Sequence, residues 1–316
     1  MKQWIIRRKT SDMKILAVGG AGFTGSHIVE EFQGQAQIRV LDNLCSGFKP
    51  ILRGLQHEFI ETSVLERAAV QGADCVFHLA AMVSVPESMA KPIECNELNT
   101  KGTLLLLEEA AKAGVKKLIC TSSAAVYGDN PILPKVETMP PEPESPYAIG
   151  KLDCEFYCQT FAGERGLPTI YLRYFNVPGP RQDPRSQYAA AVPISVNQAL
   201  RNEPITICGD GEHTRDFIYV EDVPPANAHF ATQSMATGIF NVAYGRQISI
   251  NDLYTTICQL PRSRSKTHHA PASAGDVKHS MAGVDKMRAT GFLTAGNFAA
   301  GLQATAEYFL AHRSSE

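Results

Sequence analysis

The chain has 316 residues, 44% of them hydrophobic and 20% charged, which supplies apolar material for one large core or two modest ones and excludes a disordered chain. Lysine and arginine number 30 against 32 acidic residues, so no broad basic field exists to hold a nucleic acid, and an anionic ligand must be met by a few placed cations. The cysteines (45, 75, 95, 120, 154, 158, 208 and 258) stand without CxxC pairs or Cys/His blocks, and no apolar run is long enough to span a membrane. Reduced core thiols, a cytoplasmic location and a small-molecule site are therefore expected, with no metal, nucleic acid or membrane partner.

The opening MKQWIIRRKTSD, residues 1–12, is basic, lacks a signal-peptide core and reads as an N-terminal extension, with Met13 a candidate start. From there β-rich runs alternate with helical patterns. KILAVGG is followed by FTGSHIVEEFQ; then come IRVLD, HEFIET and CVFHLA, the last followed by ECNELNTKGTLLLLEEAAKAG; then KKLICTSS, PYAIGKLDCEFYCQTFAGERG and PTIYLRYF. Strands joined by crossover helices predict an α/β fold, a doubly wound parallel sheet of the Rossmann type, over residues 13–175. From residue 176 Pro and Gly crowd VPGPRQDP, and short elements run on to a helical AGLQATAEYFL. A smaller, partly discontinuous α/β substrate lobe over 176–316 is expected, with GIFNVA (238–243) returning to the main sheet. A cleft should lie at the carboxyl ends of the strands.

Between the first strand and the first helix stands GGAGFTG, with Gly19, Gly22 and Gly25 in GxxGxxG spacing. Glycine allows a tight turn there and lets backbone N–H groups and a helix N-terminus approach a pyrophosphate. The second strand ends at Asp42, where a carboxylate can accept from ribose hydroxyls; with no arginine immediately after it, this favours NAD over NADP. TSSAAVYG places Thr121, Ser122 and Ser123 at the carboxyl edge of the sheet, where a hydroxyl can reach a substrate or merely cap a turn. In SPYAIGK, Tyr147 and Lys151 are four apart on one helix face. A cation beside a phenol favours the phenolate, a usable base. Taken alone, the pair is better explained as an ordinary aromatic and a lysine on an amphipathic helix, and the rest of the chain must decide.

In this order GGAGFTG, VLDN, HLAA, TSSAAVYG, YAIGK, RYFN and GDGEHTRDFIYVEDV resemble the extended short-chain dehydrogenase/reductase family, and within it the nucleotide-sugar 4-epimerases, over residues 14–290. The resemblance implies an isomerase with Tyr147 as base, Lys151 as its activator and NAD-ribose ligand, and Ser123 as partner of the sugar hydroxyl. It places NAD against Gly19, Gly22, Phe23, Thr24, Gly25, Asp42, Asn43, Ser63, Val64, Leu79, Ala80, Ala81, Asn99, Tyr147, Lys151 and Phe175. It places the UDP-sugar against Ser84, Ser123, Tyr147, Asn176, Ala190, Ala191, Thr206, Cys208, Arg215, Asp276 and Ser280. The implied chemistry takes the proton from the C4 hydroxyl and hydride from C4, then returns hydride to the opposite face. Sister dehydratases carry an acidic pair within the segment that here reads TSSAAVYG, so epimerisation is favoured. The residue four after Asp276, a tyrosine in family members that exclude an N-acetyl group, is here Ser280, implying UDP-GlcNAc and UDP-GalNAc as substrates, with UDP-Glc and UDP-Gal as further ones. The family's four-helix seam, here near 95–113 and 147–165, implies a homodimer.

The sequence also departs from the family. Ser63 replaces an aspartate near the adenine, and Ser273 stands where an arginine often grips the diphosphate, a loss that Arg262, Arg264 or Lys266 would have to offset. Gly283 replaces an acid, and Pro224 and Pro225 open what is normally an uninterrupted helix. Two other readings stay open: a UDP-glucuronate 4-epimerase or other UDP-sugar-modifying enzyme of the same build, and an NAD-binding protein without catalysis.

Overall fold

In the computed structural model, residues 12–66, 69–183, 191–261, 263–271 and 278–312 are described. The chain opens with β1 (Lys14–Val18), α1 (Phe23–Glu31), β2 (Gln37–Asp42), β3 (Glu58–Glu61) and β4 (Cys75–His78). Short helices α2 (Val85–Ala90) and α3 (Pro92–Asn96) lead through a π-helical turn (Glu97–Lys101) into α4 (Gly102–Lys112). Then come β5 (Lys117–Ser123), a 3-10 turn (Ala124–Tyr127), α5 (Pro146–Arg165) and β6 (Thr169–Tyr174). Beyond it follow α6 (Ala191–Arg201), β7 (Ile205–Cys208), β8 (Thr214–Arg215), α7 (Val223–Thr232), β9 (Gly238–Val242), β10 (Ile248–Ser249), α8 (Ile250–Cys258), β11 (Thr267–Ala270), α9 (Asp285–Ala289) and α10 (Phe298–His312).

Seven strands form one sheet in the order β3-β2-β1-β4-β5-β6-β9, with parallel pairing throughout. This is the doubly wound Rossmann arrangement. The strand order turns back between β1 and β4, and at that point the carboxyl ends open a crevice. Strand alternation assigns the two faces. Ile15, Ala17, Ile38 and Val40 join Ile28 and Val29 of α1 and Phe230 of α7 on one side. Leu16, Val18, Leu118 and Cys120 join Leu106 and Leu107 of α4 and Cys158 of α5 on the other. Burying a leucine such as Leu107 contributes roughly 1.5–3 kcal/mol, and truncating it to alanine should cost about 2–5 kcal/mol.

β9 pairs in parallel with β6, from Ile170↔Gly238 to Tyr174↔Val242, so the chain crosses back to the main sheet after α7. Two small sheets lie outside it, β7 with β11 in parallel and β8 with β10 antiparallel. The two prolines that depart from the family pattern do no harm. Pro224 and Pro225 fall in the first turn of α7, where the missing N–H would have had no helical partner.

Candidate active site

The turn after β1 explains its own glycines. Gly19 has φ +82°, and a Cβ added there would lie 2.5 Å from Ala80 N, because the chain end of β4 passes directly behind it. A Cβ on Gly25 would lie 2.3 Å from Gly19 O. The packing thus brings backbone against backbone and leaves Gly22, which has no side chain to cap the helix, as the N-cap of α1. That cradle of main-chain N–H groups at a helix N-terminus fits a dinucleotide pyrophosphate. Asp42, buried at the end of β2, accepts from the N–H of Ala21 (2.9 Å) and of Leu44 (2.8 Å), tying the glycine turn to the ribose side.

Around this crevice stand the other residues placed near NAD by the sequence. Leu79 and Ala80 both donate to Val18 O. Ser63 Oγ accepts from Leu65 N, closing a small turn, and Asn43 Oδ1 accepts from Cys45 N. Val64 and Phe175 are buried, whereas Phe23, Thr24 and Ala81 are half-buried. Asn99 sits within the π-helical turn and bonds both ways with Met82, donating to its O (3.0 Å) and accepting from its N (2.7 Å).

α5 starts where SPY dictates. Ser145 is the N-cap, its Oγ accepting from Ala148 N (3.2 Å), and Pro146 occupies the first turn with its φ already set. Tyr147 follows at once, its N–H donating to Ser88 Oγ (3.2 Å), so α2 braces the start of α5. Ser84 caps α2 in turn, accepting from Glu87 N. Lys151, 5% exposed, donates to Thr121 O (2.8 Å) and Thr121 Oγ1 (3.3 Å), with its Nζ 6.0 Å from the centre of the Tyr147 ring. Ser123 ends β5, its Oγ accepting from Ala125 N. Tyr147, Lys151 and the β5 terminus are thus brought together. Nearby His78 is buried and held well below the usual imidazole range, at about 3, first by burial and then by the Lys151 charge. It therefore stays neutral at physiological pH.

On the other side of the crevice lies a cavity of about 360 Å³. Its lining includes Asn176, Ala191, Thr206, Cys208 and Arg215, all expected from the sequence, and also Gln182, His213 and Tyr254, which were not. Ser84, Ser123, Tyr147 and Ser280 are not part of this lining. His213 and Arg215 are two apart along one chain segment and so share a face; that alternation was legible in GEHTRDF. Asp216 fixes the strand that carries Arg215. It is buried and accepts from the N–H groups of Tyr244, Gly245 and Ala282. Burial pushes its carboxyl up to about 6 against the pull of those bonds.

Ser280 donates its N–H to Thr214 O (3.0 Å), placing it alongside β8 next to Arg215. Ala190, Asp276, Ser273 and Arg262 lie outside the described residues. Arg264 and Lys266 are not among the residues lining this cavity and precede β11. Gly283 has a steric reason: a Cβ would meet Val136 Cγ1 at 2.7 Å, while its N–H donates to Lys135 O. Among the described residues no cluster of His, Cys, Asp or Glu could hold a metal ion, and no helix is long and apolar enough to cross a membrane.

With this geometry in place, comparison with known proteins gives consistent relatives. The family model for the NAD dependent epimerase/dehydratase family matches residues 15–243. The chain is similar to a UDP-N-acetylglucosamine 4-epimerase from Methanobrevibacter ruminantium solved with UDP-N-acetylmuramic acid (37% identity, 96% of this chain and 99% of that one, TM-score 0.92). It is similar too to a Thermotoga maritima UDP-glucose 4-epimerase solved with UDP-glucose (37%, 96% and 100%, TM-score 0.90). A third is a Thermus thermophilus UDP-glucose 4-epimerase solved with NAD (33%, 94% and 99%, TM-score 0.86). The chain belongs to the NAD dependent epimerase/dehydratase family. Within that family it is an isomerase of the 4-epimerase type that works with NAD.

Proposed function

We propose that the chain interconverts UDP-N-acetylglucosamine and UDP-N-acetylgalactosamine, with UDP-glucose and UDP-galactose as further substrates. The observation that carries this reading is the small side chain of Ser280, held beside β8 next to the cavity-lining Arg215, at the position where the resembled family uses a tyrosine to exclude an N-acetyl group. A relative named for UDP-N-acetylglucosamine at 37% identity supports it.

The proposed mechanism rests on the roles that the epimerase reading assigns to these residues. The uridine diphosphate enters the cavity, where Arg215 offers its fork of donors to phosphate and Asn176 lies on the wall. When bound across the glycine turn, NAD supplies reversible hydride acceptance at sugar C4. Tyr147 accepts the C4 hydroxyl proton, Lys151 stands one turn on along the same helix face, and Ser123 hydrogen-bonds the same oxygen. The 4-keto sugar turns over in the crevice, and Tyr147 returns the proton once the opposite face has been reduced. Residues 13–175 with β9 form the cofactor half and the rest of 176–316 the nucleotide-sugar half.

The assembly proposed is a homodimer. Met89, Ile93, Ile149 and Phe156 leave apolar side chains exposed on α2, α3 and α5, and a monomeric mass in solution would reject it. Reduced thiols among the described cysteines suit a cytoplasmic enzyme. A substrate panel on wild type and Ser280→Tyr tests the sugar assignment: the variant should lose acetylated sugars and keep plain hexoses, and equal loss of both would overturn the role of Ser280.

A further inference from the structure

Directly beneath the candidate catalytic groups the apolar packing between the sheet and α5 gives way to charge. Along β5 Leu118, Cys120 and Ser122 alternate onto the α5 face, and along β6 Tyr171 and then Arg173 do the same, with Ser122 and Arg173 in register across the ladder. Glu155 of α5 descends onto this pair. It accepts from Ser122 Oγ (2.5 Å), Arg173 Nε (2.8 Å) and Arg173 Nη2 (2.6 Å). Glu155 is 3% exposed and Arg173 2%.

Such a pair is a poor choice for stability alone, because well-packed apolar residues of similar volume commonly do as well or better. What it adds is direction. Three hydrogen bonds fix the axial and rotational setting of a helix that apolar contacts would allow to slide. Glu155 lies one turn past Lys151, which lies one turn past Tyr147, so all three share a face. Thr121, Ser122 and Ser123 are consecutive: the first receives Lys151, the second donates to Glu155, and the third ends the strand at the candidate site.

The chain of contacts continues away from α5. The Arg173 guanidinium lies 4.7 Å from the centre of the Tyr127 ring, and Tyr127 donates to Asn241 Oδ1 (2.7 Å). Asn241 Nδ2 donates to Lys135 O (2.8 Å) and Gly283 O (3.1 Å), the latter three residues past Ser280.

We propose that the buried Glu155–Arg173 pair is the positioning element of the catalytic helix, setting Tyr147 and Lys151 against Ser123 and, through Tyr127 and Asn241, against the segment that carries Ser280. The proposal rests on the epimerase reading of Tyr147 and Lys151. Neither Glu155 nor Arg173 is assigned to touch substrate; they act through the helix.

The test is the double variant Glu155→Met/Arg173→Met, which replaces the pair by apolar isosteres. It should melt within about 5 °C of wild type and retain NAD, while kcat falls at least about 30-fold and KM changes less than about threefold. A folded, NAD-loaded double variant with kcat within about threefold of wild type would overturn the proposal. Should the double variant fail to fold, Ser122→Ala removes one bond to Glu155 at little change in volume. It should lower kcat about three- to tenfold at constant KM, and an unchanged kcat would count against the proposal equally. A crystal structure of whichever variant folds gives a readout free of turnover. The Lys151 Nζ to Thr121 O contact, 2.8 Å in the wild type, should be lost, and its retention would overturn the inference. Wild-type silence on every UDP-sugar would instead be a failure of the epimerase reading, and the structural readout would still decide the role of the pair.

Discussion

Gly19→Ala probes the glycine turn with a built-in control. Alanine at φ +82° costs about 1–2 kcal/mol for the left-handed conformation alone. The new Cβ also meets Ala80 N at 2.5 Å, and because ordinary contact begins at 3.4 Å, the ends of β1 and β4 must part by 0.9 Å (3.4 − 2.5). Ala80 N donates to Val18 O at 2.9 Å, so that parting breaks a main-chain bond with a net contribution of about 0.5–1.5 kcal/mol. It also displaces the N–H groups of the pyrophosphate cradle, where one charge-assisted bond contributes about 1.5–3 kcal/mol, or roughly one to two decades in affinity. Gly34 has φ +68° with no atom within 4 Å of an added Cβ, so Gly34→Ala carries the conformational strain without the clash. Calorimetric titration of NAD into stripped protein, beside thermal melts, separates the effects. Gly19→Ala should bind NAD at least about tenfold more weakly than Gly34→Ala and melt lower. Equal NAD affinity and equal melting for the two variants would refute the placement of the cofactor on this turn.

Arg215→Lys should raise KM for the UDP-sugar about tenfold or more with a smaller change in kcat, because lysine cannot reproduce the guanidinium fork; steady-state kinetics would show an unchanged KM if the diphosphate lies elsewhere. His27, on α1 with Nε2 at 3.1 Å from Pro180 O, is lowered to about 4 by burial and the neighbouring Arg181 charge. The unfolded chain therefore binds a proton on His27 between pH 6.5 and 4 that the folded chain does not, so this group's contribution is full above pH 6.5 and falls with pH through that window. His27→Gln should remove about 2 kcal/mol of the loss of unfolding free energy between pH 6.5 and 4.5, measured by urea melts. An unchanged slope would contradict the burial of a neutral ring. Asp216, raised to about 6, works oppositely: its folded form gains a proton first as pH falls, so its contribution is present below the ordinary carboxylate range and is lost as pH rises to about 6.

Much of the sheet was legible because a parallel strand buried on both faces carries a nearly continuous apolar run, and KILAV, CVFH and TIYLRY each show one. The start of α5 was legible because Ser, Pro and Tyr occupy the N-cap and first turn in that order. The π-helical turn at Glu97–Lys101 was not, since ELNTK shows only one continuous helical pattern and the extra residue per turn leaves no mark in it. Glu155 escaped notice because a carboxylate on an amphipathic helix resembles any solvated acid. Its one signal was Arg173, a charge inside TIYLRY whose every residue is buried and which must be matched by a carboxylate. Of the residues expected at the nucleotide, the cavity gathers Thr206 and Cys208 from β7, Arg215 from β8, Ala191 from the start of α6 and Asn176 from the loop after β6. The parallel β7–β11 ladder, which sets where Arg264 and Lys266 precede β11, was not legible in the sequence.

The most direct test is an anomeric-proton NMR time course of UDP-N-acetylglucosamine with the purified protein, run beside Tyr147→Phe. The proposed mechanism predicts UDP-N-acetylgalactosamine signals from the wild type and none from a variant that keeps its fold and its NAD. Turnover that survives loss of the phenol would contradict Tyr147 as the base, and silence of the wild type with this and every other UDP-sugar would contradict the proposed reaction itself.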